Sequence, residues 1–566
     1  MIACLLIGAF LTGLLMGCNG TTGGNLKSTS DGSVLRINLA SEPDYLDPAM
    51  SATLDGGTYL QNSYAGLFTT DPNGQIIPAL CDTYEVSEDG LVYTFRLKDD
   101  LKWSDGSPLT AADFEYSWKR AADPQTGSPY IYLFDAFAKD PSGEINVSAD
   151  GNVLTAVLHT PCVYFLDMCA FPTLFPVPQK DVEAADPDGT NPSKWASEAG
   201  GLSNGAYRLK EWKHNEALIY EKNPYFYNAD KVKIEQLQFM LTADNTAAYA
   251  AYNSGDLDFS NTIPIDILST VRNRADFHLA DELGTYYLAF NVNADFFRGM
   301  SAEKAATVRK ALCLLLDRDY IVKNIGQTGQ ELASSFIPYK MSDGNGKEFK
   351  RDGYPYPDEA SHGYFPVDLT PEQSKQEAIR LLKSVGYRFD ANGKLSRETP
   401  ISFDYVVNTD SGHQAIAEAL QSDWARIGVK VKIKTQEWST YVADRRAGQF
   451  TCCRGGWVAD FNDPITMLDL FASDSDNNYV QLGKNPDNPA TPAWAHFDEL
   501  IDEIKSTNDR AYRVELMHEA ETMVMDSWAV IPIYYYNVAY LCKTNVKGIY
   551  STLFGMKFFC YAWIDS

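Results

Sequence analysis

Positive charge is scarce in this 566-residue chain, where 48 lysines and arginines stand against 75 aspartates and glutamates for a formal net charge of −27. A chain so acidic repels phosphate backbones and anionic membranes, so no nucleic acid is expected as a partner. Histidine is scarcer still, with seven scattered residues. No His-Glu-x-x-His zinc motif, Gly-x-Ser-x-Gly elbow or Gly-x4-Gly-Lys-Ser/Thr phosphate loop occurs, and an enzyme is not expected. The ten cysteines lack the repeated close pairs of a zinc site, so no metal and no other cofactor is expected. Cys162 and Cys169 could pair in an exported chain, whereas Cys452 and Cys453 read as small buried strand residues; the disulfide pattern stays open. No short repeat of the solenoid kind is present.

What is present begins with the apolar residues 1–17, shorter than the roughly 20 a spanning helix needs and interrupted by Gly8, Gly13 and Gly17. They read as a signal peptide, followed by a small, polar tether over 18–32. With 45% hydrophobic and 13% aromatic residues over this length, more than one hydrophobic core is expected. Strand-like and helix-like stretches alternate from Leu35 onward. After the Asp89-Gly90 turn signal, Leu91, Tyr93, Phe95 and Leu97 fall on one face of a strand. Thr370-Pro371-Glu372-Gln373 supplies a helix start, Ala378, Ile379, Leu382 and Val385 an apolar stripe, and Gly386 a stop. A second helix is expected from about 413 to 427, closed by Gly428 and followed by a strand from Val429. Helix then strand is the unit of a sheet covered by helices, a mixed α/β architecture.

A dense series of short motifs then narrows the reading. It includes Glu42-Pro43, Leu46-Asp47-Pro48, Tyr64-Ala65-Gly66-Leu67, Lys102-Trp103-Ser104-Asp105-Gly106, Tyr116-Ser117-Trp118-Lys119-Arg120 and Ser128-Pro129-Tyr130. Further on come Asn204-Gly205-Ala206-Tyr207, Leu316-Asp317-Arg318, Gln436-Glu437-Trp438, Arg454-Gly455-Gly456-Trp457 and Ala459-Asp460-Phe461. In this order they resemble the bacterial extracellular solute-binding proteins of the peptide and nickel class, in particular the oligopeptide-binding proteins of ABC transporters. Leu15-Met16-Gly17-Cys18 resembles a lipobox, although no Lys or Arg precedes it; the likeness implies lipidation of Cys18 and a lipid anchor on the outer face of the cytoplasmic membrane, in the periplasm where an outer membrane exists.

The resemblance implies a two-lobed, periplasmic-binding-protein-like fold of type II with an additional third domain. By analogy the first lobe takes 33–64, 179–283 and 537–566, the additional domain 65–178, and the second lobe 284–536. It implies a monomer that captures oligopeptides and delivers them to ABC permease subunits. Such a receptor must bind what all peptides share, their backbone and two charged ends. Asp460 matches a family aspartate that pairs with the α-amino group, and Tyr130 a tyrosine beside it. Gly455 and Gly456 match a strand whose backbone pairs with the peptide, where a missing side chain permits close approach. Arg445, Arg454 and His413 match cationic positions for the carboxylate end. Trp438, Trp457 and Tyr535 are candidate walls of side-chain pockets, and Leu54 and Asn408 match further positions near the ligand. Gly326 stands where some relatives carry a lysine, which leaves peptide length open. The alternative is a receptor for another solute on the same fold (a dipeptide, metal chelate, haem or sugar) or for a peptide signal.

Overall fold

The computed structural model describes residues 32–565 except 41, 44, 73, 351–363, 366–368 and 508. The signal segment, Cys18 and most of the tether lie outside the described residues. A ten-stranded sheet organises most of the rest. From one edge it runs Lys430–Gln436, Ser402–Asn408, Cys452–Val458, Phe277–Phe290, Val530–Cys542, Phe259–Ser260, Val34–Asn38, Gln236–Met240, Ala217–Lys222 and Tyr207–Lys213. Parallel and antiparallel pairs are mixed, which requires crossover segments packed on the sheet faces.

The two longest strands, Phe277–Phe290 and Val530–Cys542, bridge the halves of this sheet. Residues 277–281 pair with 537–541 on the side of Phe259–Ser260, and from Thr285 onward the partners are Tyr535 and residues before it. Between these stretches the register shifts, so that Glu282, Leu283 and Gly284 stand opposite the single residue Tyr536. From Gly284 onward the Phe277–Phe290 strand also pairs, on its other edge, with Cys452–Val458. An irregularity of this kind bends the strand locally.

A separate four-stranded antiparallel sheet, in the order Cys81–Val86, Val92–Leu97, Val153–Val157, Val147–Asp150, is covered by the helix Ala111–Ala122. Its core is aromatic: Trp118 and Phe165 are fully buried, their rings 6.2 Å apart, and Trp118 donates to the Leu174 carbonyl at 2.8 Å. This body is pinned to the large sheet's segment by Asp47. Its carboxylate, buried completely, receives Arg120 at 2.5 and 3.1 Å and the Trp195 indole at 3.0 Å. Asn204 adds a two-way clasp on the Ala65 backbone at 3.0 and 2.9 Å. Several residues of the motifs quoted above, among them Asp47, Arg120 and Asn204, therefore hold segments of the chain together.

The expected helix starts at its proline, Pro371–Ser384, with Thr370 and Gln373 forming the capping box. The next helix begins earlier than its apolar stripe suggests, at Ser411, because the Asp410 carboxylate accepts the His413 amide at 2.8 Å and closes the first turn. All eight described cysteines are buried and free. Cys162 therefore does not pair with Cys169; its sulfur rests 4.0 Å from that of Met168. No helix among the described residues is long and apolar enough to cross a membrane, and no cluster among them could hold a metal ion.

Candidate functional site

The Cys452–Val458 strand carries the candidate residues because its two edges are used unequally. On one side it pairs with Phe277–Phe290 along its whole length; on the other it meets Ser402–Asn408 only at Cys452 and Cys453. Among the described residues, 454–458 thus have a strand neighbour on one side only; the Arg454 carbonyl is taken by the Tyr441 hydroxyl, and 455–458 form an edge to which an extended chain could add. Gly455 and Gly456 lie in this stretch. A Cβ at Gly456 would fall 2.2 Å from the Tyr536 hydroxyl, and one at Gly455 2.4 Å from the Tyr287 ring, so a side chain at either position would force those tyrosines to move.

Past the end of the strand, the Ala459 amide donates to Leu283 at 2.7 Å and turns the chain so that Asp460 points inward. Asp460 is 8% exposed. Tyr132 donates to its Oδ2 at 2.7 Å and Thr466 at 3.4 Å, while the Asp460 amide donates to Thr466 at 3.2 Å. Burial lifts its pKa to about 6, and hydrogen bonds from Tyr132, Thr466 and Tyr130 restrain the rise. No cation is among these partners. Tyr130 lies beside it, half-buried, its ring 4.9 Å from Phe171 and 5.9 Å from Tyr132. The turn is fixed from behind, since Phe461 stacks on Tyr164 at 4.3 Å and Asp463 forms a buried bidentate pair with Arg513 at 2.7 and 2.9 Å.

At the other end of the free edge, cations gather on aromatic rings. The Arg454 guanidinium lies 5.5 Å from the Tyr286 ring and donates to Tyr536 at 3.3 Å; His413 lies 5.5 Å from the same Tyr286. Burial together with the Arg454 charge holds His413 well below its ordinary range, so it is neutral at physiological pH. Arg445 is 5% exposed and sits over Tyr479 at 4.2 Å, Tyr441 at 4.5 Å and Trp438 at 5.8 Å. Tyr441 in turn donates to the Arg454 carbonyl, joining the two arginines. Several buried polar atoms here have no hydrogen-bond partner: Nε of Arg445 and Arg454, Oδ1 of Asn408, Oε1 of Gln436 and Nε1 of Trp457. Buried groups of this sort are ordinarily satisfied. These atoms lie on one strand and its neighbours.

Trp438 is half exposed at the start of the helix Trp438–Arg446, and Trp457 is half-buried on the strand itself. Tyr535 departs from expectation. Strand alternation turns it to the opposite face, where its hydroxyl meets Ser334, Ser335 and the buried Lys350. The adjacent Tyr536 faces Arg454 and Gly456 in its stead. Leu54 opens the helix Leu54–Ser63 and rests near Gly555, 41% exposed. Tyr132, Tyr286, Tyr441, Thr466 and Tyr536 were not foreseen; only Tyr132, two residues beyond Tyr130, and Tyr536, beside Tyr535, had a nearby signal. A cavity of about 340 Å³ elsewhere, lined by Phe68, Phe175, Phe226 and Tyr550 among others, contains none of the candidate residues.

Residues 75–479 match the family model described as bacterial extracellular solute-binding proteins, family 5, middle. The chain is 30% identical over 549 residues to the oligopeptide-binding protein OppA of Bacillus subtilis, covering 94% of this chain and 93% of that one. It is 32% identical over 537 residues to the periplasmic oligopeptide-binding protein OppA of Salmonella typhimurium, covering 92% and 90%. Among solved structures, Haemophilus influenzae OppA in complex with the peptide RPPGFSPFR superposes with a TM-score of 0.79 at 26% identity, covering 95% of this chain and all of that one. The murein tripeptide-binding protein MppA of Escherichia coli superposes equally well, with a TM-score of 0.79 at 27% identity over 94% of this chain and 99% of that one.

Proposed function

Because this chain belongs to the bacterial extracellular solute-binding proteins of family 5, we propose that it captures oligopeptides outside the cytoplasmic membrane and hands them to an ABC-type import permease. It acts as a receptor and carries out no catalysis. The observation that carries this reading is the one-sided strand edge at 454–458, bounded by a buried carboxylate without a cation at one end and arginines with unsatisfied Nε atoms at the other.

A peptide added to that edge would pair through its backbone, which every sequence supplies. Its α-ammonium would meet Asp460, with Tyr130 alongside. Its carboxylate would meet Arg454 or Arg445, whose planar forks suit a bidentate contact. Trp438, Trp457, Tyr536 and Asn408 would border the side-chain pockets. The additional domain is taken as 65–178, and the two lobes as the halves of the large sheet on either side of the register shift. That shift, with three residues opposite one, is the natural hinge: few backbone bonds need break there when the lobes close on a ligand. Cys18 would carry the lipid anchor after removal of residues 1–17, and the receptor would work as a monomer.

The test uses protein stripped of carried-over ligand and titrated calorimetrically with short peptides, their N-acetylated forms and their C-terminal amides. Tight binding of free peptides with loss on blocking either end supports this assignment. Indifference to both blocks, with peptides still bound, would remove the two terminal anchors. A lack of any peptide binding would leave another solute as the ligand.

A further inference from the structure

The partners of Asp460 come from two different bodies of the protein. Thr466 belongs to its own turn and reaches Oδ2 only at 3.4 Å. Tyr132 belongs to the short helix Ile131–Phe134, which follows the helix covering the four-stranded sheet, and donates to the same oxygen at 2.7 Å. Tyr130 adds a third hydroxyl. All three are neutral donors. A carboxylate held only by neutral donors in a buried place stays ionised less readily than one paired with a cation, and each donor removed makes the charge harder to keep.

Tyr132 is the strongest of the three by distance, and its own proton is secure. Burial, followed by the Asp460 charge, raises the phenol well above its ordinary value, so it remains a donor throughout the range in which peptides are held. Asp469 reaches Tyr132 electrostatically from the second lobe, and Asp463 is already neutralised by Arg513. Orientation follows from the same contact. With Oδ2 engaged by Tyr132 and the backbone held by Ala459, Thr466 and the Phe461–Tyr164 stack, the carboxylate is fixed in direction.

We infer that Tyr132 is a positioning residue for amine recognition: its phenol, carried by the additional domain, holds the Asp460 carboxylate toward a ligand ammonium. Discrimination between free and blocked peptide amines is then a joint property of the additional domain and the second lobe. This rests on the amine-clamp role proposed for Asp460.

The experiment compares the stripped wild-type chain with Tyr132→Phe, titrating tetra-alanine and RPPGFSPFR, each free and N-acetylated, between about pH 5 and pH 8. Wild type should prefer the free amine, with affinity rising through a midpoint as the carboxylate ionises. In Tyr132→Phe the free-to-acetylated ratio at neutral pH should fall about tenfold and the midpoint should move up, while affinity for the acetylated peptide stays put. Replacing Tyr132 alone by 3-fluorotyrosine, a stronger donor of nearly the same shape, should move the midpoint down and covers a Phe variant that fails to fold. A wild-type preference for the free amine with both the ratio and the midpoint unchanged in the variants would overturn the role of Tyr132. A wild type with no such preference would overturn the amine clamp itself, and this inference with it.

Discussion

Replacing Asp460 by asparagine should make the ligand-free protein more stable at neutral pH while it loses its hold on peptide amines. The pKa of this carboxyl rises from 3.8 to about 6 in the folded chain because it is buried without a cation. The sign follows from linkage. A carboxyl whose folded pKa is raised contributes stability that is fully present below its unfolded pKa and is lost as pH climbs through the folded value. With those two values, the wild type sheds about 2 kcal/mol between about pH 4.5 and pH 7.5 through this residue alone, at about 1.4 kcal/mol per pKa unit. Asparagine does not titrate, so the Asp460→Asn chain escapes that loss while every other group titrates alike in both proteins. The assay is denaturant unfolding of stripped wild type and variant at both pH values, with the stability difference between the proteins compared across pH. The variant should gain about 2 kcal/mol on the wild type as pH rises over that interval, and calorimetry at neutral pH should find its free-amine preference abolished. A stability difference that does not change with pH would refute the claim that Asp460 is an ionisable group held at a cost in the unliganded fold.

Arg454→Leu should weaken the preference for a free peptide carboxylate over its amide by roughly 1.5–3 kcal/mol, read by titrating the paired ligands. Gly456→Ala drives a methyl group into the Tyr536 hydroxyl, 2.2 Å from the ideal Cβ position; calorimetry should show at least about a tenfold loss of peptide affinity. Arg513→Ala strands the buried Asp463 carboxylate and should cost about 3–5 kcal/mol in denaturant unfolding, because the pair is nearly inaccessible to water.

Local patterns carried the helices and strands well where the determinants were themselves local. The capping box at Thr370 and Gln373, the glycine stops and the alternation from Val92 to Leu97 each follow from residues within a turn or two. The start of the Ser411–Ala425 helix was less legible, because Asp410 caps it before the apolar stripe begins. Within the site, Asp460 and Tyr130 could be named from motifs, but Tyr132 could not be told from an ordinary core tyrosine until the additional domain was set against the second lobe. Tyr535 and Tyr536 show the limit most sharply. Three consecutive tyrosines say that a strand is aromatic, and only the register with Tyr286 says which of them looks toward Arg454. The unequal use of the Cys452–Val458 edges was likewise invisible in sequence, since it depends on where the Ser402–Asn408 strand stops pairing.

The free cysteines have a use as clocks. Cys81, Cys162 and Cys169 lie in or beside the four-stranded sheet, Cys313, Cys452 and Cys453 lie on the side of the large sheet that carries the Asp460 turn, and Cys542 and Cys560 lie on the other side; all eight are sealed from solvent. Burial pushes the thiols of Cys162, Cys453 and Cys560 up to about 12, so they stay inert to alkylating reagents until the surrounding structure opens. Pulse alkylation followed by peptide mapping will therefore time the opening of each body separately, in one unmodified molecule, and a bound peptide should slow the clock most for the thiols nearest the bodies it ties together.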